Sequence, residues 1–267
     1  MGAKWGQVFL HDQNIIHKLV SLVDPTIQVV EIGCGEGCLT QPISQITTVH
    51  SFEIDTACVD ATCRQLPLLS RVHFWVGDVM ALSQHWPSLG RFQVVANIPY
   101  YISAPILKLL VQYHDFLHSA VIMVQTEFAY KLIQGANQPF YSSLGVYIRS
   151  YFDVSLLFHV SPNSFSPVPK VGSSVIRLTP HQRPLPIAPE AFFAMVRSGF
   201  WGRRKPLSSA LIKSPYLIRG VGFKSALINH PYAFRRGEML TDEEWRELHN
   251  VLHPHMTSQL PPSTMGS

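Results

Sequence analysis

Ile27-Gln28-Val29-Val30-Glu31-Ile32-Gly33-Cys34-Gly35-Glu36-Gly37 is the stretch on which the fold turns. Its first half is rich in β-branched residues and predicts a strand over 27–32. Its second half is a glycine loop that ends the strand and opens a helix. Glycines there let the backbone turn tightly and approach a ligand closely. The pattern is G-x-G-x-G rather than G-x-G-x-x-G, since Cys38 holds the position of the last glycine. That disfavours a dinucleotide-binding loop. The plainer alternative is a tight strand-to-helix turn with no ligand.

Outward from this loop, short apolar runs alternate with helical stretches. Strands are predicted over 49–54, 72–76, 92–96 and 120–124, and a helix over about 126–134. The segments 145–159 and 173–178 read as a final antiparallel pair. The predicted class is α/β, a mainly parallel sheet covered on both faces. Pro180, Pro184, Pro186 and Pro189 mark a linker. Helical patterns resume over 190–200 and 241–252, the second opening on the capping box Thr241-Asp242-Glu243-Glu244. The expected organisation is a large domain over 1–180, a small helical domain over 181–252 and a polar tail over 253–267.

Three predicted strands in succession end in a glycine loop, then Glu53, then Asp78. Strand carboxyl ends are where open α/β sheets bind ligands. A carboxylate at Glu53 accepts hydrogen bonds from ribose hydroxyls, and one at Asp78 accepts from an adenine amino group. Either acid alone reads equally well as a helix cap or a surface charge. In this order they describe an adenosine-bearing ligand without phosphates, which is S-adenosylmethionine.

The fourth strand ends in Asn97-Ile98-Pro99-Tyr100. This suits methyl transfer to the exocyclic amine of an adenine. That nitrogen is a poor nucleophile because its lone pair is delocalised into the ring. The Asn97 side-chain oxygen and the Ile98 carbonyl can accept its two N–H bonds and favour a pyramidal nitrogen. Pro99 fixes the backbone, and Tyr100 offers a ring for stacking the base. The predicted catalysis rests on positioning and electrostatics, with no essential general base. An Asx-Pro turn without chemistry is the alternative.

The net charge of +4 is unevenly placed. Residues 1–182 carry ten Lys/Arg against eleven Asp/Glu, and residues 183–267 carry eleven against six. From Ala191 to Gly237 there are nine basic residues and no acidic one, including Arg203-Arg204-Lys205 and Arg235-Arg236. Segregated charge of this kind attracts polyanions by counterion release, and points to nucleic acid over a merely soluble face. The four cysteines, Cys34, Cys38, Cys58 and Cys63, have no second Cys/His pair behind them. They read as small buried or loop thiols in a reducing cytosol, and no metal is expected. No apolar run reaches bilayer length, and the first residues lack an apolar signal core.

With these motifs in place, the sequence resembles the small-subunit rRNA adenine dimethyltransferases (KsgA type). Gly6-Gln7-Val8-Phe9-Leu10, Glu31 to Gly37, Phe52-Glu53-Ile54-Asp55, Gly77-Asp78 and Asn97-Ile98-Pro99-Tyr100-Tyr101 match its motifs in order. So do Val124-Gln125-Thr126-Glu127, Phe165-Ser166-Pro167-Val168-Pro169-Lys170-Val171-Gly172-Ser173, Phe200 to Leu207 and Arg236 to Thr241. The acid before the first glycine is also typical of methyltransferases. The resemblance implies a seven-stranded Rossmann-like methyltransferase domain followed by a small helical rRNA-docking domain. It implies dimethylation of two adjacent adenosines near the 3′ end of small-subunit rRNA, coupled to subunit biogenesis, by a cytoplasmic monomer.

The resemblance also assigns residues. Gln7, Val8, Leu10, Gly33, Gly35, Glu53, Ile54, Asp78, Val79 and Asn97 are the expected cofactor site. Asn97, Ile98, Pro99 and Tyr100 are the catalytic motif. Tyr100, Phe165, Lys170, Arg203, Arg204 and Lys205 are the expected substrate contacts. Val8 departs from the usual Asn, Tyr101 from Asn and Pro206 from Thr. Rival readings are an Erm-type large-subunit rRNA adenine methyltransferase, which shares the N-I-P-Y motif, and a non-catalytic rRNA-binding assembly factor.

Overall fold

The structure, a computed structural model, describes residues 8–65, 71–181 and 188–256. Nine strands are present among them: β1 Phe9–Leu10, β2 Gln28–Ile32, β3 Val49–Glu53, β4 Val72–Val76, β5 Phe92–Asn97, β6 Leu117–Gln125, β7 Phe152–Val160, β8 Phe165–Ser166 and β9 Ser173–Pro180. Seven form one sheet in the order β4-β3-β2-β5-β6-β9-β7. The first five of these run parallel, and β9 pairs antiparallel with both β6 and β7. Strand order reverses between β2 and β5, and at that reversal the loops after neighbouring strands splay apart and leave a crevice.

The predicted strands at 27–32, 49–54, 72–76, 92–96 and 120–124 all form, with end shifts of at most three residues. β2 and β5 lie in the middle, buried on both faces. Helix Gln13–Val20 covers one face with Ile15, Ile16 and Leu19, against Val29, Val49, Val95 and Val121. Asp12 caps that helix and also accepts from the Ser164 hydroxyl at 2.9 Å. β1 pairs with β8 in register Phe9↔Ser166 and Leu10↔Phe165, so the start of the chain is stitched to the loop before β9.

Residues 145–149 depart from the strand expected over 145–159. They belong to helix Ser143–Arg149, and the strand begins only at Phe152. Ser142 is the reason: its hydroxyl accepts from the Gly145 N–H at 3.0 Å and caps the helix. Local β propensity yields here to a cap and to burial of Val146, Tyr147 and Ile148.

The chain divides into two compact units. One holds residues up to Ala129 together with Phe152–His181, and the other holds Tyr130–Tyr151 with the described residues beyond 187. A single boundary near 180 therefore misses the excursion of 130–151. The second unit is helical, with Pro189–Trp201, Leu207–Lys213, Phe223–Ile228 and Asp242–Leu252. Its last long helix opens on the expected box: Thr241 Oγ1 accepts from Glu244 N at 3.2 Å, and Glu244 Oε2 accepts from Thr241 N at 2.9 Å. Arg149 reaches Asp242 through two N–H donors, at 2.8 and 2.9 Å, and Tyr141 donates to the Leu240 carbonyl at 2.6 Å. Pro184, Pro186 and the tail from residue 257 lie outside the described residues.

Candidate active site

A cavity opens at the carboxyl ends of β2, β3, β4 and β5. Val8, Leu10, Gly33, Gly35, Glu53, Ile54, Asp78, Val79 and Asn97 line it, as do Ile98 and Pro99. Every expected cofactor residue within the described residues is thus brought together. Gln7 lies outside them, as does the side chain of Tyr100. Tyr101, 62% exposed, stands at the rim.

The glycine loop has the backbone its composition predicts. Gly33, Gly35 and Gly37 have φ of 79°, 53° and 81°, a region that side chains disfavour. A Cβ on Gly37 would also lie 2.8 Å from the Thr62 methyl. The loop is held by Glu53: its Oε2 accepts from Gly35 N at 3.2 Å and its Oε1 from Asp55 N at 2.9 Å. The Cys34 thiol also donates to Oε2 at 3.8 Å, so Oε1 is the oxygen that keeps a lone pair for a hydroxyl. Asp78 serves as a helix cap, accepting from Met80 N at 2.9 Å through Oδ1. No described residue bonds its Oδ2, so the cap and ligand readings of this acid are compatible.

Asn97 donates from Nδ2 to the Val8 carbonyl at 3.3 Å. That contact fixes the amide and leaves Oδ1 as the free acceptor. The carbonyl that orients Asn97 is backbone, so this contact survives the change from Asn to Val at position 8, although Val8 has no side-chain donor to offer the cofactor. The Ile98 N–H donates to the Met123 carbonyl at 3.2 Å, while no backbone N–H of the described residues donates to the Ile98 carbonyl. Two acceptors therefore remain at the end of β5.

Sequence reasoning missed Glu31 as a cavity residue. It is 1% exposed, in the centre of the sheet. Its Oε2 accepts from the Thr40 hydroxyl at 2.7 Å and the Ser51 hydroxyl at 2.9 Å, and its Oε1 has no partner. Burial pushes the carboxyl up to about 7; the two hydroxyls oppose this and the nearby Glu53 charge adds to it. The available signal was the acid before the first glycine, set between Val30 and Ile32 in the strand. Cys34 and Cys38 also line the cavity, and burial pushes the Cys38 thiol up to about 12 and the Cys34 thiol higher still, which makes both poor nucleophiles.

The lining contains four acids, Glu31, Glu36, Glu53 and Asp78, of which Glu31 is raised to about 7, and no Lys, Arg or His among the described residues. Such a site repels a pyrophosphate and attracts a cation. Together with hydroxyl-accepting acids and an orphaned buried oxygen, it fits S-adenosylmethionine, a positively charged adenosine derivative. Glu53 and Asp78 would meet its sugar and base, and the glycine loop would meet its chain.

The expected substrate contacts fare differently. Phe165 is 1% exposed and packs in the core with Leu10 and Val160, so its ring has no face for a base. It anchors the loop; Ser166, Pro167, Val168, Lys170 and Val171 are the exposed members. Arg203 is largely structural: Nη2 donates to the Tyr141 carbonyl at 3.0 Å, and Nε lies 3.4 Å from Glu238 Oε2. Arg204 and Lys205 are exposed.

A family model described as ribosomal RNA adenine dimethylase matches residues 2–218. A ribosomal RNA small subunit methyltransferase A from Mycoplasmopsis pulmonis is 33% identical over 210 residues, covering 78% of this chain and 82% of its own. A probable ribosomal RNA small subunit methyltransferase A from Pyrobaculum islandicum is 37% identical over 205 residues, covering 76% of this chain and 83% of its own. Among solved structures, a dimethyladenosine transferase from Plasmodium falciparum has the same fold, with a TM-score of 0.77 at 21% identity over 93% of this chain and 99% of its own. The 23S rRNA methyltransferase ErmE gives a TM-score of 0.66 at 26% identity over 92% of this chain and 99% of its own.

Proposed function

Because the chain belongs to the ribosomal RNA adenine dimethylase family, we propose that it methylates the 6-amino groups of two adjacent adenosines near the 3′ end of small-subunit rRNA, with S-adenosylmethionine as donor. When bound, S-adenosylmethionine supplies an electrophilic methyl group on a positively charged sulfur. The chain's own residues supply position and field. Glu53 and Asp78 hold the ligand's hydroxyls and amine, and the acid-rich lining favours its positive charge.

The observation that carries the reading is the Asn97 amide, pinned through Nδ2 on the Val8 carbonyl. Its Oδ1 and the Ile98 carbonyl are fixed acceptors for the two N–H bonds of an adenine amine. Accepting both draws the nitrogen lone pair out of conjugation and aims it away from the acceptors. No side chain has to remove a proton before attack. The proton lost after methyl transfer leaves from a nitrogen that has become acidic.

The small-subunit substrate is preferred over a large-subunit one because the small-subunit relatives are 33% and 37% identical and ErmE 26%. No described helix is long and apolar enough to cross a membrane. We place the enzyme's work in the cytoplasm, as a monomer acting on the assembling subunit. The test is methyl transfer from labelled donor to small subunits whose rRNA lacks the modification, then mass spectrometry of the modified fragment. Two adjacent dimethyladenosines are expected; no incorporation would sink the reading, and leave the non-catalytic assembly factor in its place.

A further inference from the structure

The second unit carries a corner that its basic sequence alone does not describe. The loop after helix Pro189–Trp201 runs beside a segment thirty residues further on. Leu207 N donates to the Arg235 carbonyl and Ser208 N to the Ala233 carbonyl, both at 2.8 Å, and Pro206 bridges Arg236. Gly237 brings this segment onto the helix end, since a Cβ there would lie 3.0 Å from the Gly199 carbonyl. Two basic stretches distant in sequence therefore become one surface.

The cations of this corner divide by partner. Arg203 is tied to Glu238 and Tyr141, and Arg235 to Glu244 and the Met239 carbonyl. Arg204, Lys205 and Arg236 are exposed, and no carboxylate of the described residues pairs with them. Two rings stand among them: Trp201 is 45% exposed with the Lys205 ammonium 5.6 Å from its centre, and Phe234 is 75% exposed. A duplex offers phosphates to cations but no base faces to a ring. Unpaired nucleotides offer both, and base stacking on a ring tolerates any sequence.

We propose that this corner docks an unpaired stretch of RNA, with Phe234 as the stacking platform and Arg204, Lys205 and Arg236 on the flanking phosphates. It rests on the rRNA reading above for the source of the RNA. Phe234 then makes the surface selective for loops or single strands over duplex, which a purely basic face is not.

The test is fluorescence anisotropy of the full chain with a labelled unstructured RNA of about twelve nucleotides and with the blunt duplex of the same strand. Phe234→Ala should weaken single-strand binding about tenfold while duplex binding changes less than about twofold, and Phe234→Trp should restore it. Arg204→Gln with Arg236→Gln should lower the salt slope by about 1.4 for the single strand and by about 1.8 for the duplex. Unchanged single-strand affinity in Phe234→Ala would overturn the proposal, as would equal losses on both RNAs. So would capture of the wild type by duplex alone, or by neither RNA, the result expected of a protein-docking face. Methyl transfer by the wild-type chain is scored separately, so failure of this proposal leaves the enzymatic reading standing and failure of that reading is visible by itself.

Discussion

Replacing Glu31 by glutamine keeps the side chain's shape and removes its charge. The wild-type carboxyl is raised from its ordinary 4.5 to about 7 by burial in the sheet, with one oxygen unbonded. A carboxyl raised on folding takes up a proton as the chain folds. Its contribution to stability is fully present below pH 4.5 and is lost as pH rises through 7. Integrated from about pH 5 to about pH 8, the loss is about 2–3 kcal/mol. The Glu31→Gln variant has no such dependence, and the Thr40 and Ser51 hydroxyls can still donate to its amide oxygen. The buried His50 and His249, both lowered to about 4, slope the opposite way, but they are common to both proteins and cancel. Amide exchange in β2 and β3, converted to opening free energies at about pH 5 and about pH 8, reads the difference locally. The variant should gain about 2–3 kcal/mol on the wild type between the two values. A difference that stays flat would refute the claim that Glu31 is buried, unpaired on one oxygen and titrating near neutrality.

Asn97→Ala should lower methyl transfer by about a hundredfold or more while donor affinity changes little, and near-normal turnover would remove Asn97 from the chemistry. Gly37→Ala, at φ 81° and 2.8 Å from the Thr62 methyl, should cost about 1–3 kcal/mol and weaken donor binding, both read by thermal shift with and without donor. Asp242→Ala removes the carboxylate from the largely buried Arg149 guanidinium, which keeps its bond to the Leu132 carbonyl, and should cost about 2–3 kcal/mol, seen as faster amide exchange over helix Ser143–Arg149. Arg203→Gln should lower the stability of the second unit by about 1 kcal/mol, whereas Arg204→Gln should leave stability alone and reduce the salt slope of RNA binding by about one. Equivalent effects of the two would show that the separation of structural from docking arginines is mistaken.

The parallel strands were legible because their apolar runs are short, β-rich and bounded by glycine or acid. The site was legible for a related reason: Gly33, Glu53, Asp78 and Asn97 each come directly after or at the end of such a run, and strand ends converge. What sequence could not supply were contacts across long separations. Asn97 meets the Val8 carbonyl 89 residues away. Phe165 looks like a stacking ring in its motif but is claimed by the core around Leu10. Arg203 looks like its neighbour Arg204 until Glu238 and Tyr141 are placed beside it. Helix Ser143–Arg149 has a readable cap in Ser142, but the β-branched alternation of strand Phe152–Val160 extends backward into it and masks the boundary.

The excursion of 130–151 into the second unit sets an order of assembly during synthesis. Tyr141, Val146, Ile148 and Tyr151 leave the ribosome before the helices that bury them exist. Leu240 and Asp242, the partners of Tyr141 and Arg149, emerge 99 and 93 residues later. At about 5–20 residues per second that is a wait of several seconds with aromatic surface uncovered. A gene cut after codon 181 would make the wait permanent. The smallest piece of this chain that can bury its own rings extends at least to the helix that ends at Leu252.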